Sequence, residues 1–263
     1  MKNKLLIFIP AYNNEKHINR VLDLIPFEEI KQKIADYEVL VSDDYSIDFT
    51  AKLVKNYQNK NKDKNIKLAV QNKNLGYGGN QKFAYNYAIK NNFDIVIMLH
   101  GDSQYSPLLI PKIIEPILSQ NFDCVLGSRM ICKKSALKGN MPLYKLIGNI
   151  CLTFVQNIML RQKLSEYHTG LRAYKIKALE RIPFNYNNDG FLFDSDILIQ
   201  LIDNKMLINE ISIPTHYGTE YCNVNVIRYG LEVLFTTFYS RLQKLKLINL
   251  KKFDYENFKN NPK

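Results

Sequence analysis

Ile95-Val-Ile-Met-Leu-His-Gly-Asp-Ser-Gln104 runs five apolar residues straight into a polar turn. An apolar run this short, without alternation and closed by turn residues, is the pattern of a strand buried on both faces. Residues 5–9, 39–42 and 66–70 repeat it, and residues 15–24, 47–57 and 79–91 between them carry apolar side chains near helical spacing. Strands alternating with helices predict an α/β fold with a mostly parallel sheet flanked by helices. In such sheets ligands collect at the carboxyl ends of the strands.

Each of the four strand ends carries polar or glycine-rich residues. They are Pro10-Ala-Tyr-Asn-Asn-Glu15, Asp43-Asp-Tyr-Ser46, Asn74-Leu-Gly-Tyr-Gly-Gly79 and His100-Gly-Asp-Ser-Gln104. If the chain stays extended, residues 100, 102 and 104 converge on one side. Asp102, with the Gln104 carbonyl, is oxygen-donor chemistry suited to Mg2+ or Mn2+ on phosphates, and an imidazole at His100 tilts the balance toward Mn2+. The simpler reading of an Asp after a strand is a turn or cap, and that of His100 is packing. Asp43 is placed to accept hydrogen bonds from a base or ribose, whereas Ser46 and Asp48 fit a helix cap. The glycines leading from Asn74 into a helix permit close approach to a phosphate or ribose, although neither the P-loop nor the dinucleotide fingerprint is present.

The rest of the chain is less regular. Residues 124–128 and 207–213 read as strands, and residues 143–160, 191–203 and 226–247 as helices. The Lys/Asn-rich end from 251 to 263 reads as a frayed tail. We divide the chain into a domain over 1–225 and a C-terminal amphipathic helix with basic tail over 226–263.

Composition bounds the class. The 263 residues are 46% hydrophobic and 23% charged, an ordinary globular mixture that excludes wholesale disorder. Cys124, Cys132, Cys151 and Cys222 form no zinc-type pair and read as buried free thiols in a reducing compartment. The N-terminal apolar run is too short for a signal peptide, and Lys145, Asn149, Gln156 and Asn157 interrupt the stretch 143–160, so no membrane-spanning helix is expected.

The five segments Pro10–Glu15, Asp43–Thr50, Asn74-Leu-Gly76, Gly127-Ser-Arg129 and Thr169-Gly-Leu-Arg172 fall, in order, where family-2 glycosyltransferases carry P-A-Y-N-E-E, D-D-G-S-x-D-x-T, N-x-G, G-S-R and S/T-G-F-R. Over roughly residues 4–230 the chain resembles that family, specifically the branch similar to dolichyl-phosphate mannose synthase. The resemblance implies a GT-A, Rossmann-like fold and an inverting transfer of sugar from a nucleotide-sugar donor to a lipid-phosphate or glycan acceptor, in cell-surface polysaccharide or glycolipid synthesis.

It further implies that Pro10, Ala11, Tyr12, Asn13, Glu15, Asp43 and Asp44 hold the nucleotide, together with Asn74, Gly76 and Gly79. A divalent metal on the diphosphate is implied at His100, Asp102 and Gln104, in the place of the family's D-x-D-x-Q. His100 departs from that pattern and removes one negative charge. Arg129 and Arg172 correspond to arginines that bind the acceptor phosphate, and His216, in a loop that closes over the donor in relatives, is grouped with them. Asp194 or Asp196 would be the general base if the acceptor is a hydroxyl; an ionised phosphate needs none. Capping is the alternative role for Asp194. A non-catalytic sugar-nucleotide binding protein is the rival reading, with His100 marking lost metal chemistry.

Lys and Arg outnumber Asp and Glu 36 to 25, a formal charge of +11. Seven of the basic residues lie between Arg129 and Lys163, where there is no acidic residue. They flank the apolar stripe of the 143–160 helix, which suits an anionic membrane surface, a core or a homo-oligomer contact. No nucleic-acid-binding module accompanies the charge. The expected location is cytoplasmic, peripheral at the membrane if the stripe meets lipid.

Overall fold

The computed structural model describes residues 3–132, 136, 139–215 and 225–260. The expectations placed on Lys133, Lys134, Lys138, His216 and Cys222 lie outside them.

The first half alternates as its sequence predicts. β1 (Lys4–Ala11) leads through α1 (Ile18–Asp23) and α2 (Phe27–Lys33) to β2 (Asp36–Asp43), then α3 (Thr50–Lys60), β3 (Ile66–Val70), α4 (Tyr77–Lys90) and β4 (Ile95–Met98). The second half comprises α5 (Ile110–Ser119), β5 (Cys124–Ser128), α6 (Leu143–Leu160), β6 (Arg172–Lys175), α7 (Ile176–Leu179), α8 (Phe193–Asp203), β7 (Ile208–Ser212), α9 (Val226–Lys244) and α10 (Tyr255–Asn260).

The seven strands form one sheet in the order β3-β2-β1-β4-β6-β5-β7. All pairings are parallel except those of β6, which runs antiparallel to both β4 and β5. The order reverses between β1 and β4, so their carboxyl ends border the crevice where open α/β sheets hold ligands.

The continuous apolar run of β1 follows from two-sided burial. Leu5, Ile7 and Ile9 enter the core beneath α1, α2, α3 and α5. Leu6 and Phe8 point the other way, into the core beneath α4, α7 and α8. β6 was not foreseen, because at four residues, Arg-Ala-Tyr-Lys, it carries no apolar run.

Residues 226–260 pack against this domain. Arg241 pairs with Asp203 at 2.6 Å, Lys252 with Asp196 at 2.7 Å, and Phe253 is buried. The frayed tail expected from 251 is thus corrected as far as 260, because a 3-10 turn and α10 dock there. The cysteines need a correction too. Cys124 is buried, but Cys132 and Cys151 are exposed free thiols.

Candidate active site

The loops after β1 and β2 are latched to each other. The Asn13 amide donates to Ser46 Oγ (2.9 Å), Ile47 N to Asn13 Oδ1 (3.0 Å), Asn14 N to Thr50 Oγ1 (2.8 Å), Glu15 N to Asp48 Oδ2 (3.0 Å) and Phe49 N to Glu15 Oε2 (3.1 Å). Asn13 and Glu15 therefore use these side-chain oxygens to shape the wall. Pro10 and Ala11 lie in β1, opposite Ser42 and Asp43.

Asp43 is 1% exposed, and its Oδ1 is buried without a hydrogen-bond partner, while Oδ2 accepts from Ser46 N at 3.2 Å. A buried carboxylate oxygen left unpaired is costly, and a donor from a bound base or ribose would satisfy it. Tyr12 and Tyr45 are exposed on the same two loops. Tyr45 occupies the left-handed region at φ +67°, where the family pattern has Gly, and Ser103 does so at +63° in the loop after β4. Such strain in bulky or β-substituted residues clusters at functional sites.

The glycine loop after β3 is bonded to the loop after β2 and to Asp189. Asp44 accepts Leu75 N (2.7 Å) and Gly76 N (3.1 Å), and Asn74 donates to the Asp44 carbonyl and accepts from Gly76 N. Gly78 N and Gly79 N both donate to the Asp189 carbonyl, at 2.6 and 3.1 Å. The amides that would cradle a phosphate are spent inside the protein. A Cβ on Gly76 would come 2.6 Å from Asp189 O. Glycine is needed here for close packing, and Asn74, Gly76 and Gly79 engage these groups within the protein. Burial pushes the Asp44 carboxyl up, against the pull of its two amide donors.

After β4 the chain turns instead of staying extended. Ser103 is left-handed, and Gln104 N donates to Asp102 Oδ1 at 2.9 Å, so the backbone of Gln104 closes an Asx turn. His100 and Asp102 still meet, with Nδ1 4.0 Å from Oδ2.

The other imidazole nitrogen, Nε2, lies 3.3 Å from the Tyr77 hydroxyl, which donates its one proton to Asp194 Oδ2 at 3.0 Å. Toward His100 the hydroxyl can therefore only accept. That places the imidazole proton on Nε2 and leaves the Nδ1 lone pair facing Asp102. Burial and the nearby Asp194 carboxylate raise the Tyr77 phenol well above its ordinary range, so it stays protonated. Tyr77 and Tyr105 stand edge-on to the imidazole, and Gly170 leaves it room: a Cβ there would come 2.6 Å from His100 Cε1.

Among the described residues no three His, Cys, Asp or Glu side chains gather in a way that could hold a metal. His100 Nδ1 and Asp102 Oδ2 nevertheless form a two-donor set whose remaining positions substrate oxygens can fill, a sharing usual for ions on phosphates. The outer-shell bond to Nε2 is of the kind that orients ligating histidines. The residues fit a divalent ion.

The acidic and basic residues of the second half are redistributed. Asp194 is 7% exposed; its Oδ1 accepts from Gln81 (3.1 Å), its Oδ2 from Tyr77, and Arg172 Nη2 stands 3.4 Å from Oδ2. Arg172 is fully buried and donates to the carbonyls of Thr169, Asp194 and Tyr167 at 2.7–2.9 Å. It is thus a strut beneath Asp194, with its guanidinium engaged inside the protein.

Asp196 is likewise buried, accepting from Thr236, Lys252 and Asn188 N at 2.7, 2.7 and 3.1 Å, so it ties α8 to the C-terminal segment. Arg129 turns inward onto the buried Glu166 and the His168 carbonyl. One of the seven basic groups is therefore neutralised in the interior.

The residues that sequence reasoning missed are Tyr77, Gln81, Tyr105, Glu166 and Gly170. Tyr77 stood inside the glycine segment, where the glycines drew the attention.

The profile of the Glycosyl transferase family 2 matches residues 6–183. The chain belongs to this family. It is 31% identical over 232 residues to a UDP-N-acetylglucosamine–dolichyl-phosphate N-acetylglucosaminyltransferase of Methanococcus voltae, covering 84% of this chain and 89% of that one. It is 30% identical over 237 residues to an uncharacterized protein of Methanocaldococcus jannaschii, covering 89% and 90%.

Among solved structures it resembles glucosyl-3-phosphoglycerate synthase from Mycobacterium tuberculosis, crystallised with Mn2+, UDP and phosphoglyceric acid. The TM-score is 0.64 and the identity 16%, over 91% of this chain and 78% of that one. Family-2 membership makes the protein a glycosyltransferase, and the sheet is that of the GT-A fold. Tyr77 with Asp194 supports His100.

Proposed function

We propose that the protein transfers a sugar from a nucleoside-diphosphate sugar to the phosphate of a polyprenyl lipid, as in the dolichyl-phosphate branch of the family, at the cytoplasmic face of a membrane, for lipid-linked glycan assembly. The observation that carries this reading is the state of Asp194. Both its oxygens already accept, Oδ1 from Gln81 and Oδ2 from Tyr77, with Arg172 beside Oδ2, so it is built as a held ion-pair partner rather than as a base poised for an attacking hydroxyl. A phosphate acceptor is already ionised and attacks without a base. The relative from Methanococcus voltae, named for a dolichyl-phosphate acceptor and a UDP-sugar donor, supports the same class.

In this reading the acceptor oxygen attacks the anomeric carbon opposite the nucleotide, the bond to the diphosphate breaks, and configuration inverts. Asp43 binds the base or ribose through its unpaired oxygen. His100 and Asp102 hold a divalent ion, Mg2+ or Mn2+, which when bound supplies positive charge to the leaving diphosphate. His100 presents Nδ1, with its proton kept on Nε2 by Tyr77. The experiment is radiolabelled sugar transfer from a panel of UDP- and GDP-sugars to polyprenyl phosphate and, in parallel, to saccharide acceptors. Label in the lipid phosphate alone is the expected result; label in saccharide alone overturns the acceptor assignment.

A further inference from the structure

Phe191 borders the active site without a part in the bonds around His100 and Asp194. It lies two residues before α8 and is 41% exposed. Its ring stacks on that of Tyr77, with centroids 5.0 Å apart and planes 30° from parallel. Tyr77 in turn stands edge-on to His100, at 5.7 Å between centroids, and bonds Asp194. A single exposed apolar side chain needs no explanation on a protein surface. Phe191 differs because it is one ring removed from His100 and is held there.

The loop that carries it is fastened to α4 and α8. The Asp189 carbonyl accepts from Gly78 N and Gly79 N at 2.6 and 3.1 Å, and its carboxylate pairs with Lys82 at 2.7 Å. Lys82 also donates to the Asn187 carbonyl. Asn188 N donates to the buried Asp196 at 3.1 Å, Gly190 N donates to Asn188 Oδ1 at 2.6 Å, and Asn187 and Gln200 exchange side-chain amide bonds. These bonds fix the position of a ring that stays partly open to solvent. A contact surface ordered in advance costs a ligand little entropy to use.

In the proposed transfer, on which this inference rests, Asp43 takes the base or ribose and the pair of His100 and Asp102 faces the diphosphate. The sugar follows the diphosphate along the donor, so it comes next to this pair. Tyr77 adjoins the pair at Nε2 of the imidazole, and Phe191 lies on Tyr77. A pyranose offers a hydroxyl rim to polar groups, and its C–H face, weakly positive, complements the negative face of an aromatic ring. The residues before Phe191 on its loop, Asn188, Asp189 and Gly190, are polar or bare. One aromatic ring in polar surroundings suits a hydroxylated ring better than a hydrocarbon chain, which needs a continuous apolar wall.

We propose that Phe191, backed by Tyr77, is the stacking platform for the ring of the transferred sugar. It adds to donor affinity through the sugar and not through the nucleotide.

The test is isothermal titration calorimetry on the full chain and on the variants Phe191→Leu and Phe191→Tyr, with Mn2+ present. The ligands are a panel of UDP- and GDP-sugars, with UDP and GDP as sugar-free references. Leucine keeps an apolar cover on Tyr77 but has no aromatic face. The expected result is an affinity for the nucleotide sugar about three- to tenfold lower in Phe191→Leu. Affinities for the free nucleotide and for Mn2+ stay unchanged, and Phe191→Tyr keeps the parental values throughout. Three outcomes overturn the platform and leave the donor reading standing: equal loss for nucleotide sugar and free nucleotide, no loss for either, or a raised KM for polyprenyl phosphate with donor affinity intact. A parent chain that binds UDP or GDP but no sugar of the panel overturns the donor reading itself, and the platform with it.

Discussion

The Tyr77 hydroxyl donates to Asp194 Oδ2 at 3.0 Å, joining the start of α4 to the start of α8 across 117 residues of chain. The same oxygen stands 3.3 Å from His100 Nε2, so one phenol sets the state of a carboxylate and of an imidazole. The His100 imidazole is joined to the Asp194 carboxylate through this tyrosine. Tyr77→Phe removes that link without changing the ring. Mn2+ affinity, read by electron paramagnetic resonance of the free ion, should fall about 10- to 100-fold, with UDP binding in the absence of metal little changed. Unaltered Mn2+ affinity would show that Tyr77 does not orient His100.

Gly170 tests the same arrangement sterically. A methyl group there would crowd the imidazole, with its carbon 2.6 Å from His100 Cε1. Gly170→Ala should weaken Mn2+ binding as Tyr77→Phe does. Combining it with His100→Ala, which vacates the space, should restore the melting temperature of the single His100→Ala variant.

Asp102 and Asp196 should part company. Asp102→Ala removes an oxygen that faces His100 at 4.0 Å, and steady-state transfer should drop about 100-fold or more with the melting temperature held. Asp196→Ala leaves Lys252 and Thr236 without their buried acceptor, so stability should fall by about 3 kcal/mol in urea unfolding. The folded fraction should keep its turnover. Lost turnover in folded Asp196→Ala would return that residue to the active site.

His168 gives a pH signature. Burial is the largest cause that lowers its pKa, to about 4; Arg172 and Arg129 add to it and Glu166 opposes. The folded value lies below the ordinary 6.5, so the unfolded chain binds more protons between the two. Stability should therefore decline as pH falls from about 6.5 toward 4, by on the order of 3 kcal/mol, and this contribution should level off below. Melting temperatures of the parent and His168→Gln across that range measure it, the variant being the flatter.

Much of the fold was legible because it rests on local periodicity. The apolar runs of β1, β2, β3 and β4 and the polar residues after them lie within a few positions of one another, and burial of a parallel sheet on both faces needs no further information. The site was legible as a neighbourhood for the same reason: Asp43, His100 and Asp102 follow strand ends. β6 escaped notice because a four-residue strand with Arg172 at its start has no pattern of its own. That α9 leaves Ile227, Leu231, Phe235 and Phe238 exposed escaped because apolar periodicity reports that a face exists, not what it meets.

The sequence by itself determined the order of strands and helices, the family motifs and the placement of the charge. Only the tertiary structure decided which polar atoms are spent and which are open. Three backbone carbonyls engage Arg172, a candidate phosphate-binding group in the sequence, and Lys252 engages Asp196, a candidate base, whereas Asp43 keeps an oxygen that no neighbour claims. A side chain's chemistry is local, but its hydrogen-bond partners arrive from distant segments, and a buried group acts on a ligand only with the bonds those segments leave it.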